Sequence, residues 1–185
     1  LELRADGRVE VGVASVPVEG LAGLAQRPLL RDPYVVVVPA GEPCPDFSAP
    51  RPDLPFLRYS PAQHIGRQIE AQLNRLRVNL PHRMSAESNQ ALMTLVAAGQ
   101  GWTITTATCF NRARGLWAGL SLHPFPRAQF AREIALITVP GGAESLAGML
   151  ETMLRTLVQA HTIEPVHAQV PFLKQHFNML NSDLS

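Results

Sequence analysis

The chain is poor in nearly everything that announces a chemical function in advance. It has two cysteines, Cys44 and Cys109, far apart and with no C-x-x-C spacing or ligand-like neighbours. A disulfide framework and a thiolate metal knuckle are thereby excluded, and the pair reads as thiols of a reducing compartment, with a redox-sensing pair as the alternative. No apolar run approaches the length of a membrane span, and no charged, apolar, then small-residue signal segment opens the chain. Charge of either sign is not in excess: 16 Lys+Arg stand against 15 Asp+Glu, a formal net charge of +1. The basic face that nucleic acid demands is missing. All the basic residues except Lys174 are arginine, which together with abundant alanine points to a GC-rich bacterial genome.

Catalytic signatures are missing too. There is no G-x-S-x-G elbow, no H-E-x-x-H and no phosphate loop. Gly99-Gln100-Gly101 lacks the third glycine of a dinucleotide fingerprint and closes a helix instead of opening one. The histidines and acids show no metal-ligand spacing. No catalytic residue, metal or cofactor is expected, and the chain does not read as an enzyme.

What is present is a core. At 46% hydrophobic content over 185 residues, the chain can form one domain or two small lobes. Val9, Val11 and Val13 alternate with Glu10, Gly12 and Ala14, the period of a strand with one apolar face. Tyr34 to Val38 is an unbroken apolar run, suited to a strand buried on both faces. From Pro39 to Pro55 proline recurs among Gly41, Asp46 and Asp53, which marks a loop and a lobe boundary. Phe56 to Tyr59 is a short strand. Ser60-Pro61-Ala62-Gln63 then reads as a serine N-cap, a proline at the first helical position and a glutamine at the capping-box position. The helix that follows, to Arg77, carries Ile65, Ile69, Leu73 and Leu76 on one face. Further strands are expected near His82–Ser85, Trp102–Thr106, Leu120–His123 and Glu133–Val139. A helix from about Ala143 to Ala160 repeats Leu146, Met149, Leu150, Met153, Leu154, Leu157 and Val158 at helical spacing, with the methionines as core fillers. Phe172, Leu173, His176, Phe177 and Leu180 suggest a short amphipathic helix near the end. Strand–helix alternation argues for mainly parallel sheets flanked by helices.

The densest information lies in Ser85 to Thr106. Ser88 can cap a helix, Leu92, Leu95 and Val96 share one face, Gly99 can take the left-handed conformation that ends it, and Gly101 allows close packing before the next strand. Ser60 and Ser88 both sit at helix starts directly after strands. Ordinary capping accounts for that; so does an anion pocket built from first-turn N–H groups and hydroxyls. Thr103, Thr105 and Thr106 offer hydroxyls along the following strand, or simple strand propensity.

The run from Ser85 resembles the serine-entry, leucine-rich helix, V-A-A-G-x-G, strand signature of the effector-binding domain of LysR-type transcriptional regulators. Leu3 to Ser15, Pro28 to Pro43 and Leu54 to Ile69 resemble three further segments of that family in the right order, so the likeness covers about residues 1–160. It implies an α/β, two-lobed fold of the type 2 periplasmic-binding-protein kind, with residues 1–39 plus 133–160 as a partial lobe I, 40–132 as lobe II, and 161–185 as a C-terminal extension. The family's lobe I begins with a strand and helix expected to be absent from this chain. Where the family often has proline after the strand, Thr106-Ala107 departs from it.

The resemblance further implies a small-molecule effector, with an anion suited to the helix starts, bound by Ser60, Pro61, Gln63, Ser85, Ser88, Asn89 and Thr105 of lobe II and Ser15 and Val16 of lobe I. It implies a cytoplasmic homodimer or homotetramer using the Pro61–Arg77 helix, with DNA bound only through an upstream winged helix-turn-helix and no membrane partner. A stand-alone solute-binding protein of a transport system is the alternative. From the charge balance, this chain alone should give at most a weak gel shift of duplex DNA that vanishes as salt is raised. A salt-resistant, sequence-specific shift would contradict the reading.

Overall fold

The computed structural model describes residues 11–16, 23–126, 130–139 and 144–181. The chain divides into two compact units, residues 1–33 with 131–185 (unit 1) and residues 34–130 (unit 2). β2 (Ala25–Pro39) is the strand on which both are built. Its first half belongs to unit 1 and its second half to unit 2.

In unit 1, β1 (Val11–Val16) pairs antiparallel with β7 (Ala131–Thr138), which pairs antiparallel with β2 on its other edge. Val9, expected to open β1, lies outside the described residues. The ladder between β2 and β7 contains a bulge between Pro28 and Leu30, as expected where a proline cannot donate a rung. α4 (Glu144–Val158) lies on this sheet through Ala147, which packs with Leu29 and Leu136, and Val11 and Leu154 flank the cluster. Ala143, its expected first residue, is outside the described residues. Leu146, Met149, Met153 and Leu157 are instead exposed, so the methionines are not core fillers here. They occupy the side of the helix turned from the sheet.

Beyond α4 the chain does not form the single amphipathic helix that the spacing suggested. A π-helical turn (Gln159–Ile163) leads into α5 (Glu164–Gln169), a 3-10 turn (Pro171–Gln175) and a short strand, β8 (Asn178–Met179). Pro165 has no N–H and removes a rung at this point. Ile163, Val166, Leu173 and Phe177 are each at most 1% exposed, so these residues build core. β8 pairs with Leu30 and Arg31 of β2, and the Leu180 N–H donates to the Leu29 carbonyl at 2.9 Å. Arg155 donates to the carbonyls of Leu180 (2.7 Å) and Pro28 (2.6 Å) and bonds Glu151, which also accepts from Arg27.

In unit 2, Tyr34–Val37 of β2 pairs antiparallel with β5 (Thr103–Thr106), and Val35–Pro39 pairs antiparallel with β6 (Leu120–Pro124). β3 (Phe56–Tyr59) and β4 (His82–Ala86) are parallel, and β3 meets the start of β5 through a parallel bridge, Phe56 to Trp102. The expectation of mainly parallel sheets is therefore corrected. A helix between two strands imposes parallel pairing only when the chain re-enters beside the strand it left, as it does from β3 through α1 to β4. Every partner of β2 arrives from distant sequence and runs against it.

Two helices close on the same motif, of which only the Gly99 stop was legible in the sequence. α1 (His64–Arg75) buries Ile65, Ile69 and Leu73, and ends with Arg77 at φ 55°. The Val78 N–H reaches the Leu73 carbonyl and the Arg77 N–H that of Asn74, the double bond of a Schellman motif. α2 (Asn89–Ala97) repeats this with Gly99 at φ 74°, Gln100 bonding Leu95 and Gly99 bonding Val96. Between β5 and β6 lie α3 (Ala107–Arg112) and a 3-10 turn (Arg114–Gly119), where the sequence suggested only an irregular stretch.

Asp32 is fully buried and Arg132 donates to it from β7 at 2.9 Å, its side chain 15% exposed. Removing one partner of a buried pair takes a charge-assisted bond from the other. Asp32→Ala should lower the unfolding free energy by about 3 kcal/mol in urea denaturation; a loss below about 1 kcal/mol would show that water or another group already solvates Arg132.

Candidate functional site

β3, β4 and β5 run in one direction, and at their C-terminal ends each passes into a turn or helix. The first of these junctions is Ser60. Its N–H donates to the Ala86 carbonyl, its carbonyl accepts from the Gln63 N–H, both at 2.9 Å, and its hydroxyl accepts from the Ala62 N–H at 3.3 Å. Ser60 therefore caps a turn and not a helix. The expected capping box is corrected: α1 begins at His64, and its N-cap is Gln63, extended at φ −85° and ψ 141° with no side-chain capping bond. Gln63 spends its side-chain amide on the Glu87 carbonyl, which ties the start of α1 to the approach to α2. Arg67 holds the turn from outside, donating to the carbonyls of Pro61 and Ala62.

Gly66 explains why the helix starts late. A Cβ there would lie 2.5 Å from the Ser60 carbonyl oxygen and 3.2 Å from that of Tyr59. The first turn of α1 is laid directly on the Ser60 peptide, a contact that only glycine allows. Gly101 has a matching role at the start of β5: at φ 156° its Cβ would meet the Pro55 carbonyl at 2.3 Å.

At the second junction Ser88 is the N-cap of α2, as its position suggested. It is extended at φ −122° and ψ 130°, and its hydroxyl accepts from the Ala91 N–H at 3.4 Å. Neither α1 nor α2 carries an acid in its first turn, so nothing on those turns opposes the positive end of the helix dipole. Ser88 and Ser85 are exposed and Asn89 is half-buried. The third junction was not anticipated. Thr106 caps α3 by accepting from the Cys109 N–H at 3.4 Å; six residues are too few for a period to show.

A buried tyrosine joins the junctions. The Tyr59 hydroxyl donates to Asn89 Oδ1 at 2.6 Å and lies 2.6 Å from Thr105 Oγ1, while Asn89 Nδ2 donates to the Cys109 carbonyl at 2.9 Å. Tyr59 is 4% and Thr105 0% exposed. In the same unit Tyr34 stacks on Phe130 with centroids 3.8 Å apart, and its hydroxyl donates to Gln68 at 2.6 Å. Neither tyrosine stood out from the sequence, where each reads as strand core. Ser60, Pro61, Gln63, Ser85, Ser88, Asn89 and Thr105 thus gather at one end of the unit 2 strands. Ser15 and Val16 belong to unit 1, opposite Ile134 and Glu133 in the β1–β7 register. The Ser15 hydroxyl is buried with no hydrogen-bond partner among the described residues.

At the other end of the strands a cavity of about 240 Å³ is walled by Pro50, Pro52, Pro55 and Pro81 over Trp102 and Phe56. Its one cation, Arg51, already holds Asp53 at 2.6 Å and Glu42 at 2.8 Å, and the Arg51 hydrogen bond keeps the Asp53 carboxyl below its ordinary range. The cavity offers an anion no free charge. Both cysteines are free thiols. Desolvation pushes the Cys44 thiol up, the reverse of what a reactive thiolate needs. Among the described residues no group of three His, Cys, Asp or Glu could hold a metal ion, and no helix is long and apolar enough to cross a membrane.

A family model described as LysR substrate binding domain matches residues 1–160. Curated proteins supply no match. Solved structures do. An OxyR mutant from Corynebacterium glutamicum is 21% identical with a TM-score of 0.67, over 88% of this chain and 52% of that one. The regulatory domain of Synechocystis CcmR in complex with 2-PG is 17% identical with a TM-score of 0.66, over 81% and 74%. A sulfate-bound mutant regulatory domain of OxyR2 from Vibrio vulnificus is 19% identical with a TM-score of 0.57, over 78% and 70%. The chain spans about half the length of the OxyR protein. At these identities the likeness establishes a shared fold.

The close approach at Gly66 has a measurable consequence. Gly66→Ala must lift α1 from the Ser60 turn and should destabilise unit 2 by about 1–3 kcal/mol, the usual range for overpacking. Thermal unfolding checks this, and an unchanged Tm would mean that the turn yields freely.

Proposed function

The chain belongs to the LysR substrate-binding domain family, and from that premise we propose that it is the effector-sensing regulatory domain of a bacterial LysR-type transcriptional regulator. The carrying observation is the family match over residues 1–160, which favours this reading over a stand-alone solute-binding protein. Units 1 and 2 are, on this reading, the two lobes of a type 2 periplasmic-binding-protein fold. DNA binding resides in a winged helix-turn-helix outside this sequence, and the working form is a homodimer or homotetramer in the cytoplasm, with the outer face of α1 as a contact.

The effector is a small anion held where β3, β4 and β5 end. Three features support that choice: the Ser60 turn, the Ser88 cap and first turns free of acids. The positive end of the α2 dipole favours negative charge there by about 0.3–1 kcal/mol before any hydroxyl contact. Pro61, Gln63 and Ser85 line the same patch, with Asn89 and Thr105 behind it. Unit 1 offers Ser15 and Val16 as its own candidate contact. Sulfate and 2-PG, named with the OxyR2 and CcmR regulatory domains, are natural probes. Differential affinity for two conformations would let the bound anion shift the regulator between states.

Titration calorimetry of the chain with sulfate and 2-PG tests this directly, and saturable binding of at least one is expected. Ser88→Asp preserves the cap, since aspartate serves there as well as serine, but places a carboxylate against the anion. It should leave Tm within a degree or two and weaken binding at least tenfold, about 1.4 kcal/mol. Unchanged affinity in Ser88→Asp would remove Ser88 from the site, and absence of saturable binding would remove the anion reading.

A further inference from the structure

The hydrogen bonds around Tyr59 have only one consistent direction. The Cys109 carbonyl can only accept, so the Asn89 amide must turn its NH₂ toward it and its oxygen toward Tyr59. An amide oxygen cannot donate, so the single Tyr59 hydroxyl proton goes to Asn89. A second close contact, Tyr59 to Thr105 at 2.6 Å, is then fixed as well: Thr105 donates and the phenolic oxygen accepts. Protons run from Thr105 to Tyr59 to Asn89 to the Cys109 carbonyl, through four elements: β5, the last residue of β3, the first residue of α2, and α3.

The covalent neighbours of this chain are the two serines of the candidate site. Ser60 follows Tyr59 and Ser88 precedes Asn89. The Tyr59–Asn89 bond therefore joins the Ser60 turn to the Ser88 cap on the inner side, beside the Ser60 N–H on the Ala86 carbonyl, and the Gln63 amide on the Glu87 carbonyl braces the same gap from outside. Thr105 is wholly buried, with its proton committed to Tyr59. It has no proton left to offer an anion.

Resting on the anion-site reading above, we propose that the Thr105–Tyr59–Asn89–Cys109 chain is the positioning element of that site, and that Tyr59, Asn89 and Thr105 frame the ligand without contacting it. Tyr59 is thus a positioning residue. Its hydroxyl holds two ligand-facing turns in register before any ligand arrives, so binding does not have to assemble them. Preorganisation of this kind raises affinity by removing an ordering cost.

The test uses the whole chain and sulfate as the probe, with amide hydrogen exchange as a second readout. Tyr59→Phe keeps the ring and removes the hydroxyl. Sulfate affinity should fall about three- to tenfold, the worth of one hydrogen bond. Exchange at Gln63, Ala91 and Leu92 should speed up by a similar factor, while that of Ile69 to Leu73 on α1 stays put. Thr105→Val should do the same to a smaller degree, and Thr105→Ser, which restores the hydroxyl, should match the unaltered chain in both readouts. Tyr59→Phe with unchanged affinity and unchanged local exchange would overturn the proposal. So would faster exchange spread evenly over unit 2, which is loss of stability alone, or a Thr105→Ser as impaired as Thr105→Val. If sulfate fails to bind the unaltered chain, the anion reading falls, and the exchange comparison still decides whether Tyr59 positions the turns.

Discussion

Val35 to Val38 expose none of their surface, and on both edges of this stretch another strand takes its hydrogen bonds. Few backbones carry so full a set of obligations, and the rest of unit 2 follows from meeting them. Buried polar backbone must be paired, so β5 and β6 have to lie alongside. Both faces must be covered by apolar side chains, so β-branched residues fill every position. Upstream, the same strand cannot be apolar throughout, because it passes Arg27, Arg31 and Asp32 before it enters unit 2. There the charges are met by pairing: buried Asp32 with Arg132, and half-buried Arg27 with Glu151. One strand thus leaves water by apolar filling in one unit and by apolar filling joined to ion pairing in the other.

Much of this could be read in the sequence where the cause is local. The Val35–Val38 run, the Ser88 cap and the Gly99 stop each depend on residues within a turn of one another, and each occurs where expected. The Ser60-Pro61-Ala62-Gln63 pattern misled because a serine before proline suits a turn as well as a helix start. What chose between them was Gly66, whose contact with the Ser60 carbonyl is invisible without coordinates. Residues 25–33, with two prolines and several charges, argue against a strand, yet β7 and β8 pair with them. Strand direction was misjudged for the same reason: register and sense are fixed by partners about a hundred residues away, and alternation along the chain does not encode them.

The site divides along the same line. Serines after short strands are a sequence signal, and they marked Ser60 and Ser88. Tyr59 carries none, since a tyrosine in a four-residue apolar strand looks like packing, and its hydroxyl partners lie 30 and 46 residues further on. Arg51 shows the converse. It is the one cation lining the proline-walled cavity, an arrangement that suggests a binding site, but Asp53 and Glu42 have already taken its guanidinium. Chemistry becomes available only where a group's partners leave some of it unspent.

The match to the family model ends at residue 160, in the middle of a helical path that runs from Glu144 to Gln169 with only a π-helical turn to interrupt it. Past that point Ile163, Val166, Leu173 and Phe177 still build core, and the chain returns to stitch itself to Leu29 and Leu30. Cohesion here does not follow the limits of a sequence pattern. Change after residue 160 is bounded by packing: something must still cover the open side of β2.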